Sequence, residues 1–303
     1  MHIGQPDSHN SKIPVKSIWN PKDSLVETVP NEIVLGSGKP AVMEVAHWHA
    51  QIEICYVQEG FARYEMSNRM FEIHAGQVAV FWGGLPHRLV DFTTSTTLES
   101  IHLPILQFFR LRLTDDIREK LMHGAVLLTT ESIIEDRHAF ARWCDYFRSG
   151  DPQRISHATE ELLLRIERIS LEAYELIDVA DPGEAPLEAP DQSSFEKIRL
   201  ITEFVTSHFR EEIDAASIAE CAKIHPKYAM SVFKKSTGVT LNHYVQLLRL
   251  SYAQALLMRE DGNILTIAME SGFGSLSNFN RAFRKHTGVT PSDYKRQLRL
   301  RSR

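Results

Sequence analysis

The stretch Phe233-Lys234-Lys235-Ser236-Thr237-Gly238-Val239-Thr240 returns fifty residues later as Phe283-Arg284-Lys285-His286-Thr287-Gly288-Val289-Thr290. At the same offset Tyr244 matches Tyr294, and Leu248-Arg249-Leu250 matches Leu298-Arg299-Leu300. Upstream, Ile218-Ala219 matches Ile267-Ala268 at an offset of 49, so one residue has been inserted between the copies. A match of this length marks a structural unit used twice.

Each copy spells two short helices joined by a tight turn. In the second copy Asn263 caps a helix through Ile264, Ile267, Ala268 and Ser271, and Gly272 supplies the turn, where a positive φ is needed. Ser275 caps the next helix, LSNFNRAFRKH, and Gly288 stands just past its end. Leu276, Phe279 and Phe283 share one face at spacings of three and four, while Ser277, Arg281 and Arg284 form the opposite strip. The first copy places Tyr228, Ala229, Val232 and Phe233 inward and Lys227, Ser231 and Lys234 outward, the fifty-offset equivalents of the second strip. Between the copies, Leu241 to about Arg259 reads as one helix, roughly 28 Å long at 1.5 Å per residue. Thr240 caps it, as Thr290 caps the final helix with Pro291 and Asp293 behind it.

This is the pattern of a helix-turn-helix, in which the second helix offers outward side chains to base edges in the major groove. Arg281 matches guanine bidentately and Asn278 matches adenine. Lys227 and Asn278 lie in the first turn of their helices, where reach into the groove is deepest. Lys234, Lys235, Arg284 and Lys285 lie further back, facing phosphate. The bland alternative is a solvated basic face, which two superimposable strips make the weaker reading. Charge agrees: residues 192–303 carry a net +7 and residues 1–191 a net −12. The sign changes at ADPGEAPLEAPDQSS, Ala180–Ser194, whose prolines and acids cannot pack a core and read as a linker. The predicted organisation is therefore 1–179, a linker at 180–194, and an all-α part at 195–303.

The C-terminal hundred residues resemble the AraC/XylS family of bacterial transcription regulators. The resemblance rests on the Ile-Ala pair, Gly272-Phe273, Phe279 and Phe283, and the closing Gly288-Val289-Thr290-Pro291-Ser292-Asp293-Tyr294-Lys295-Arg296. It implies two helix-turn-helix units on a long connecting helix, which set two recognition helices about one duplex turn, roughly 34 Å, apart. It implies base contacts from Lys227, Met230 and Ser231 and from Ser277, Asn278 and Arg281, with RNA polymerase as a partner. The first unit departs from the pattern, with Lys223 where glycine is usual at the turn and His225-Pro226 where a serine cap is usual.

Ahead of the linker, QIEICYVQEG, FARYEM, MFEIHAGQVAVFWGG, HRLVDF and LESIHLPI are short, apolar or alternating runs broken by glycines, the pattern of an antiparallel barrel. From about Leu113 to Ile177 the pattern turns helical, and SHATEELLLRIERISLEAYELI is apolar on more than one face, which invites either the same helix of a second subunit or burial within one subunit. His47, His49, Glu53 and Gly60, followed by Gly76, Gly84 and His87, resemble the two cupin motifs, with Trp82 and Asp91 as departures. The fold expected is thus α+β: a cupin-like β-barrel with following helices, then the double helix-turn-helix. His47 and His49 project to one side of their strand, as alternate residues do. Three readings stand for His47, His49, Glu53 and His87. They bind an effector's hydroxyls while Trp48, Phe81 and Trp82 stack on its apolar face. They hold a divalent metal. Or they are structural polar residues at a barrel mouth.

The words HWHAQIE, FWGGLPHRL and YAMSVFKKS resemble the branch of the family that serves a disaccharide operon. That implies a sugar or glycoside effector, such as an α-galactoside. The sequence therefore predicts a sugar-responsive regulator, an activator on promoter DNA, working as a homodimer without a cofactor, unless the barrel takes its metal. Three scattered cysteines, Cys55, Cys144 and Cys221, with no basic-then-apolar leader and no apolar run of membrane length, place it in the cytoplasm and off the membrane. Two rivals are open: a metal-dependent cupin enzyme with a DNA-binding tail, and a constitutive DNA-binding protein with a vestigial barrel.

Overall fold

A computed structural model describes residues 15–16, 29–30, 32–66, 69–108, 110–178, 192–237, 239–259 and 262–300. The first half holds the strands β1 (Val15–Lys16), β2 (Val34–Gly38), β3 (Ile52–Glu59), β4 (Phe61–Met66), β5 (Arg69–His74), β6 (Val78–Trp82), β7 (His87–Phe92) and β8 (Thr97–Leu103). After them come α1 (Ile105–Phe108), α2 (Asp115–Met122), β9 (Val126–Thr129), α3 (Ile134–Arg148), α4 (Pro152–Ile169) and β10 (Tyr174–Ile177). The strands make two sheets rather than one closed barrel. Seven strands run in the order β1-β2-β8-β3-β6-β9-β10, and three in the order β5-β4-β7.

The reason β3 reads as a continuous apolar run is that its sheet is covered on both faces. Ile52, Ile54 and Tyr56 point to one side, with Val78, Val80 and Trp82 of β6 and the helices α3 and α4. Cys55 and Val57 point to the other, with Ala79 and Phe81, and meet Tyr64, Met66, Phe71 and Leu89 of the small sheet. The small sheet is covered on one face only, so β4 alternates, burying Ala62, Tyr64 and Met66.

The helical stretch expected up to Ile177 ends sooner. Asp151 caps α4 through the amides of Gln153 and Arg154, and the helix stops at Ile169. Tyr174–Ile177 then pairs antiparallel with β9 as a strand. Leu162, Leu163, Ile166 and Ile169 are buried, whereas Leu164 and Leu171 are exposed. A bidentate pair of Arg165 with Asp136, at 2.6 and 2.7 Å, ties α4 to α3 in the interior.

Residues 180–191 of the expected linker lie outside the described residues, and 192–194 already belong to a helix. The second half is all helix: α5 (Gln192–His208), α6 (Ala215–Cys221), α7 (Pro226–Thr237), α8 (Leu241–Arg259), α9 (Ile264–Glu270), α10 (Leu276–Thr287) and α11 (Pro291–Leu300). The expected caps are present at Asn263, Ser275 and the pair Thr290–Asp293, and Gly288 takes φ 78° past α10. The repeat is preserved in its hydrogen bonds. The Thr237 hydroxyl lies 2.8 Å from Phe233 O and 3.0 Å from Val239 O, and the Thr287 hydroxyl repeats both distances to Phe283 O and Val289 O.

Candidate functional site

Residues 47–49 run antiparallel to 83–87. His47 and His87 exchange backbone hydrogen bonds at 2.9 Å each way, and His49 N donates to Gly83 O at 2.8 Å. Gly83 is needed there, because a Cβ would lie 2.0 Å from the His49 ring. This pairing brings His47, His49 and His87 against Glu53 of β3, and all four residues are buried. Their candidate ligand atoms lie within 4.8 Å of one another.

Glu53 is the hub. Its Oε2 stands 3.3 Å from His49 Nε2, 3.2 Å from His87 Nε2 and 3.6 Å from His102 Nε2. Its Oε1 accepts from Cys55 Sγ and Ser100 Oγ, both at 3.2 Å. Burial would raise this carboxyl, but His102 beside it, with the hydrogen bonds from His102 and His49, holds it well below the usual carboxylate range. Burial lowers the imidazoles: His47 drops well below its ordinary value and His49 falls to about 3. The site is a carboxylate ringed by imidazoles, with neutral His47 and His49 able both to donate and to accept. His102 was not anticipated. It lies one register position from Ile101 on β8, opposite Glu53, and only the strand pairing reveals it.

The three aromatic residues expected to stack on an effector do not converge. Phe81 packs in the inter-sheet core, its ring 5.3 Å from His87. Trp82, the next residue, points to the opposite face and donates from Nε1 to Ala50 O at 3.3 Å. Alternation forbids both from facing one ligand. Trp48 leaves the cluster altogether. Its ring sits in the helical half, 4.9 Å from His286, 5.7 Å from Phe283 and 6.0 Å from Tyr294.

The two recognition helices, α7 and α10, present the expected strips. Lys227, Ser231 and Lys234 are exposed on α7, as are Ser277, Asn278, Arg281 and Arg284 on α10. Met230 is half-buried and packs on the core, so of the expected base readers it offers the least surface. Tyr228, expected inward, is exposed with the Lys197 ammonium 5.2 Å over its ring. Arg281 Nη2 donates to Asn278 Oδ1 at 3.1 Å, so the two candidate base readers hold each other. A cleft of about 530 Å3 between the units is lined by Asn242, Gln246, Arg249, Asn278, Arg281 and Lys285, among others. The turn of the first unit keeps its geometry without glycine: Lys223 sits at φ 53°, and Gly272 of the second unit at φ 83°.

A helix-turn-helix domain model matches residues 218–297, and a cupin domain model matches residues 37–102. The melibiose operon regulatory protein of Escherichia coli strain K12 is 27% identical over 257 residues, 85% of each chain. In these matches the chain resembles regulators of the AraC/XylS family. The helix-turn-helix and cupin matches together make it a DNA-binding transcription regulator with a cupin-like ligand-binding part. The HTH-type transcriptional regulator YobQ of Bacillus subtilis strain 168 is 36% identical over 95 residues, 31% of this chain and 39% of its own. An apo variant of ToxT from Vibrio cholerae aligns over 88% of this chain and 97% of its own, at 18% identity and a TM-score of 0.48. Among the described residues no helix is long and apolar enough to cross a membrane.

Proposed function

We propose that this regulator reads two successive major grooves of promoter DNA and answers to a small polar effector, a sugar or glycoside such as an α-galactoside. The effector-binding part ends near residue 179 and the DNA-binding part runs from α5 onward. Lys227, Met230, Ser231, Ser277, Asn278 and Arg281 address bases, with Lys234 and Arg284 on phosphate. The observation that carries the sensing half is the buried cluster of His47, His49, Glu53 and His87, four polar side chains gathered where the fold gains nothing from burying them. Its carboxylate and neutral imidazoles suit the donor-and-acceptor character of sugar hydroxyls. The exposed apolar residues Leu164 and Leu171 support a homodimer. Activation through RNA polymerase and a cytoplasmic site of action complete the reading.

One observation favours a second reading of the same cluster, a divalent transition metal. His87 Nδ1 lies 2.8 Å from Leu85 O and so carries the proton, which leaves the Nε2 lone pair 3.2 Å from a Glu53 oxygen. Two electron-rich atoms at that distance need a proton or a cation between them. Imidazoles fixed by a backbone carbonyl are the usual ligands of such an ion, and the donor set fits. His47, His49, His87 and Glu53 would hold it, and it would supply open positions for an effector's oxygens.

The test is selection from a random duplex pool by the full chain, with and without α-galactosides. Enriched duplexes should carry two half-motifs about ten base pairs apart, with enrichment that changes with sugar. A pool without enrichment ends the two-groove reading, and enrichment blind to every sugar ends the effector reading.

A further inference from the structure

Trp48 stands between the two halves of the molecule. Its neighbours His47 and His49 face the Glu53 cluster, so alternation turns its indole the other way, into the helical half. There it is 1% exposed and edges onto Phe283 and His286 of α10 and Tyr294 of α11. Its backbone is held as well. Trp48 O lies 3.4 Å from Ser251 Oγ and 3.5 Å from Gln254 Nε2, both on α8. The Tyr294 hydroxyl lies 3.2 Å from Ala46 O and 3.3 Å from Gln254 Oε1. One continuous apolar core therefore runs from the outer face of the large sheet into the helix-turn-helix repeat.

The indole meets the back of the second recognition helix. Phe283 and His286, which it touches, lie within five residues of Arg281 and two or fewer of Arg284, on the strip facing the other way. The seat is also incompletely satisfied: Trp48 Nε1 and His286 Nε2 are both buried without a hydrogen-bond partner. A contact that leaves a donor and a ring nitrogen unpaired costs little to give up.

We propose that Trp48 is a positioning residue for the second recognition helix, tying the seat of α10 to the state of the His47–His49–Glu53–His87 cluster one residue away. The coupling rests on reading that cluster as the sensing site. Rearranging the cluster moves 47–49 and shifts the indole against Phe283 and His286. Tightening α10 on DNA must alter the cluster by the same factor.

The test needs no ligand, so it is independent of whether any sugar or metal binds. Amide hydrogen exchange of the full chain is measured in the wild type, Glu53→Gln, Trp48→Ala, Trp48→Phe and the double variants. The described side-chain partners of Glu53 are His49, Cys55, His87, Ser100 and His102, all ahead of the helical half, yet Glu53→Gln is expected to speed exchange across 276–287 by about fivefold or more. In the Trp48→Ala background that added effect should vanish, and in Trp48→Phe, where a ring still fills the seat, it should persist. A merely structural Trp48 would loosen α10 when removed but would not abolish the response to Glu53→Gln. If Glu53→Gln fails to fold, His102→Asn, on the half-buried rim of the cluster, replaces it. Exchange changes confined to 47–53 and 83–87, or a Glu53→Gln effect that survives Trp48→Ala, overturn the proposal.

Discussion

Replacing Arg281 with alanine separates base reading from mere attraction to DNA. Arg281 is exposed, and its described hydrogen bond goes to Asn278 Oδ1 at 3.1 Å. An exposed pair three residues apart on a helix is worth only about 0.2–0.5 kcal/mol, so folding should be indifferent to the change. A bidentate contact to guanine is worth about 1–3 kcal/mol, so Arg281→Ala should weaken binding to the preferred duplex by roughly 5- to 150-fold. The loss should fall on a single base position. Asn278 keeps its place, because its cap comes from Ser275 Oγ at 3.2 Å and not from Arg281, so the preference next to it should survive. The assay is fluorescence anisotropy on the selected duplex and on each single-base variant of it. Equal weakening on every duplex would show Arg281 meeting phosphate only and would refute the base-reading assignment.

Lys235→Ala should instead weaken binding evenly and reduce the slope of log affinity against log salt by about one; a changed base preference would contradict its phosphate role. The two turns should respond oppositely in urea unfolding. Lys223→Gly removes a left-handed non-glycine residue, gaining up to about 1 kcal/mol. Gly272→Ala places a Cβ 2.7 Å from Phe209 O and 2.8 Å from Arg210 Cα, so it should destabilise; like signs would mean the two turns are not equivalent. Burial, with His243 nearby, lowers His286 to about 4. The unfolded chain then takes a proton from about pH 6.5 downward that the folded chain refuses until about pH 4, at up to about 1.4 kcal/mol per pH unit. Stability should fall across that window as pH drops, and less so in His286→Asn; superimposable pH profiles would count against it.

The helical half was legible because its information is local. Caps at Asn263 and Ser275, glycine at 272 and the inward pair Phe279–Phe283 act within one or two turns, and a repeat states each of them twice. Lys223 shows the limit of that reasoning: the turn survives without glycine because the packed helices on either side outweigh the strain of φ 53°. The strands were legible from alternation and glycine breaks, although Tyr174–Ile177 carried a helical pattern and is a strand, since pairing with β9 decides it.

At the cluster, His47, His49, Glu53 and His87 could be named because their spacing resembles the cupin motifs, and the fold brings residues 47–49, β3 and β7 together. His102 could not, since its place depends on β8 pairing with β3. The aromatic residues failed for a different reason. Phe81 and Trp82 are adjacent on one strand and so face opposite sides, which alternation alone would have revealed. Trp48 obeys the same rule, but its destination, a seat on a helix more than two hundred residues away in sequence, is fixed by how the two halves pack.

The central claim is that the buried cluster senses a small molecule. Thermal unfolding of the full chain against mono- and disaccharides, α-galactosides included, with and without a chelator, tests it most directly. A true effector at a hundred times its dissociation constant adds about 2.7 kcal/mol, several degrees in midpoint for a protein of this size. That shift is expected with one class of sugar, as is its loss in Glu53→Gln. Midpoints unmoved by every sugar, or a sugar shift that survives Glu53→Gln unchanged, would contradict it.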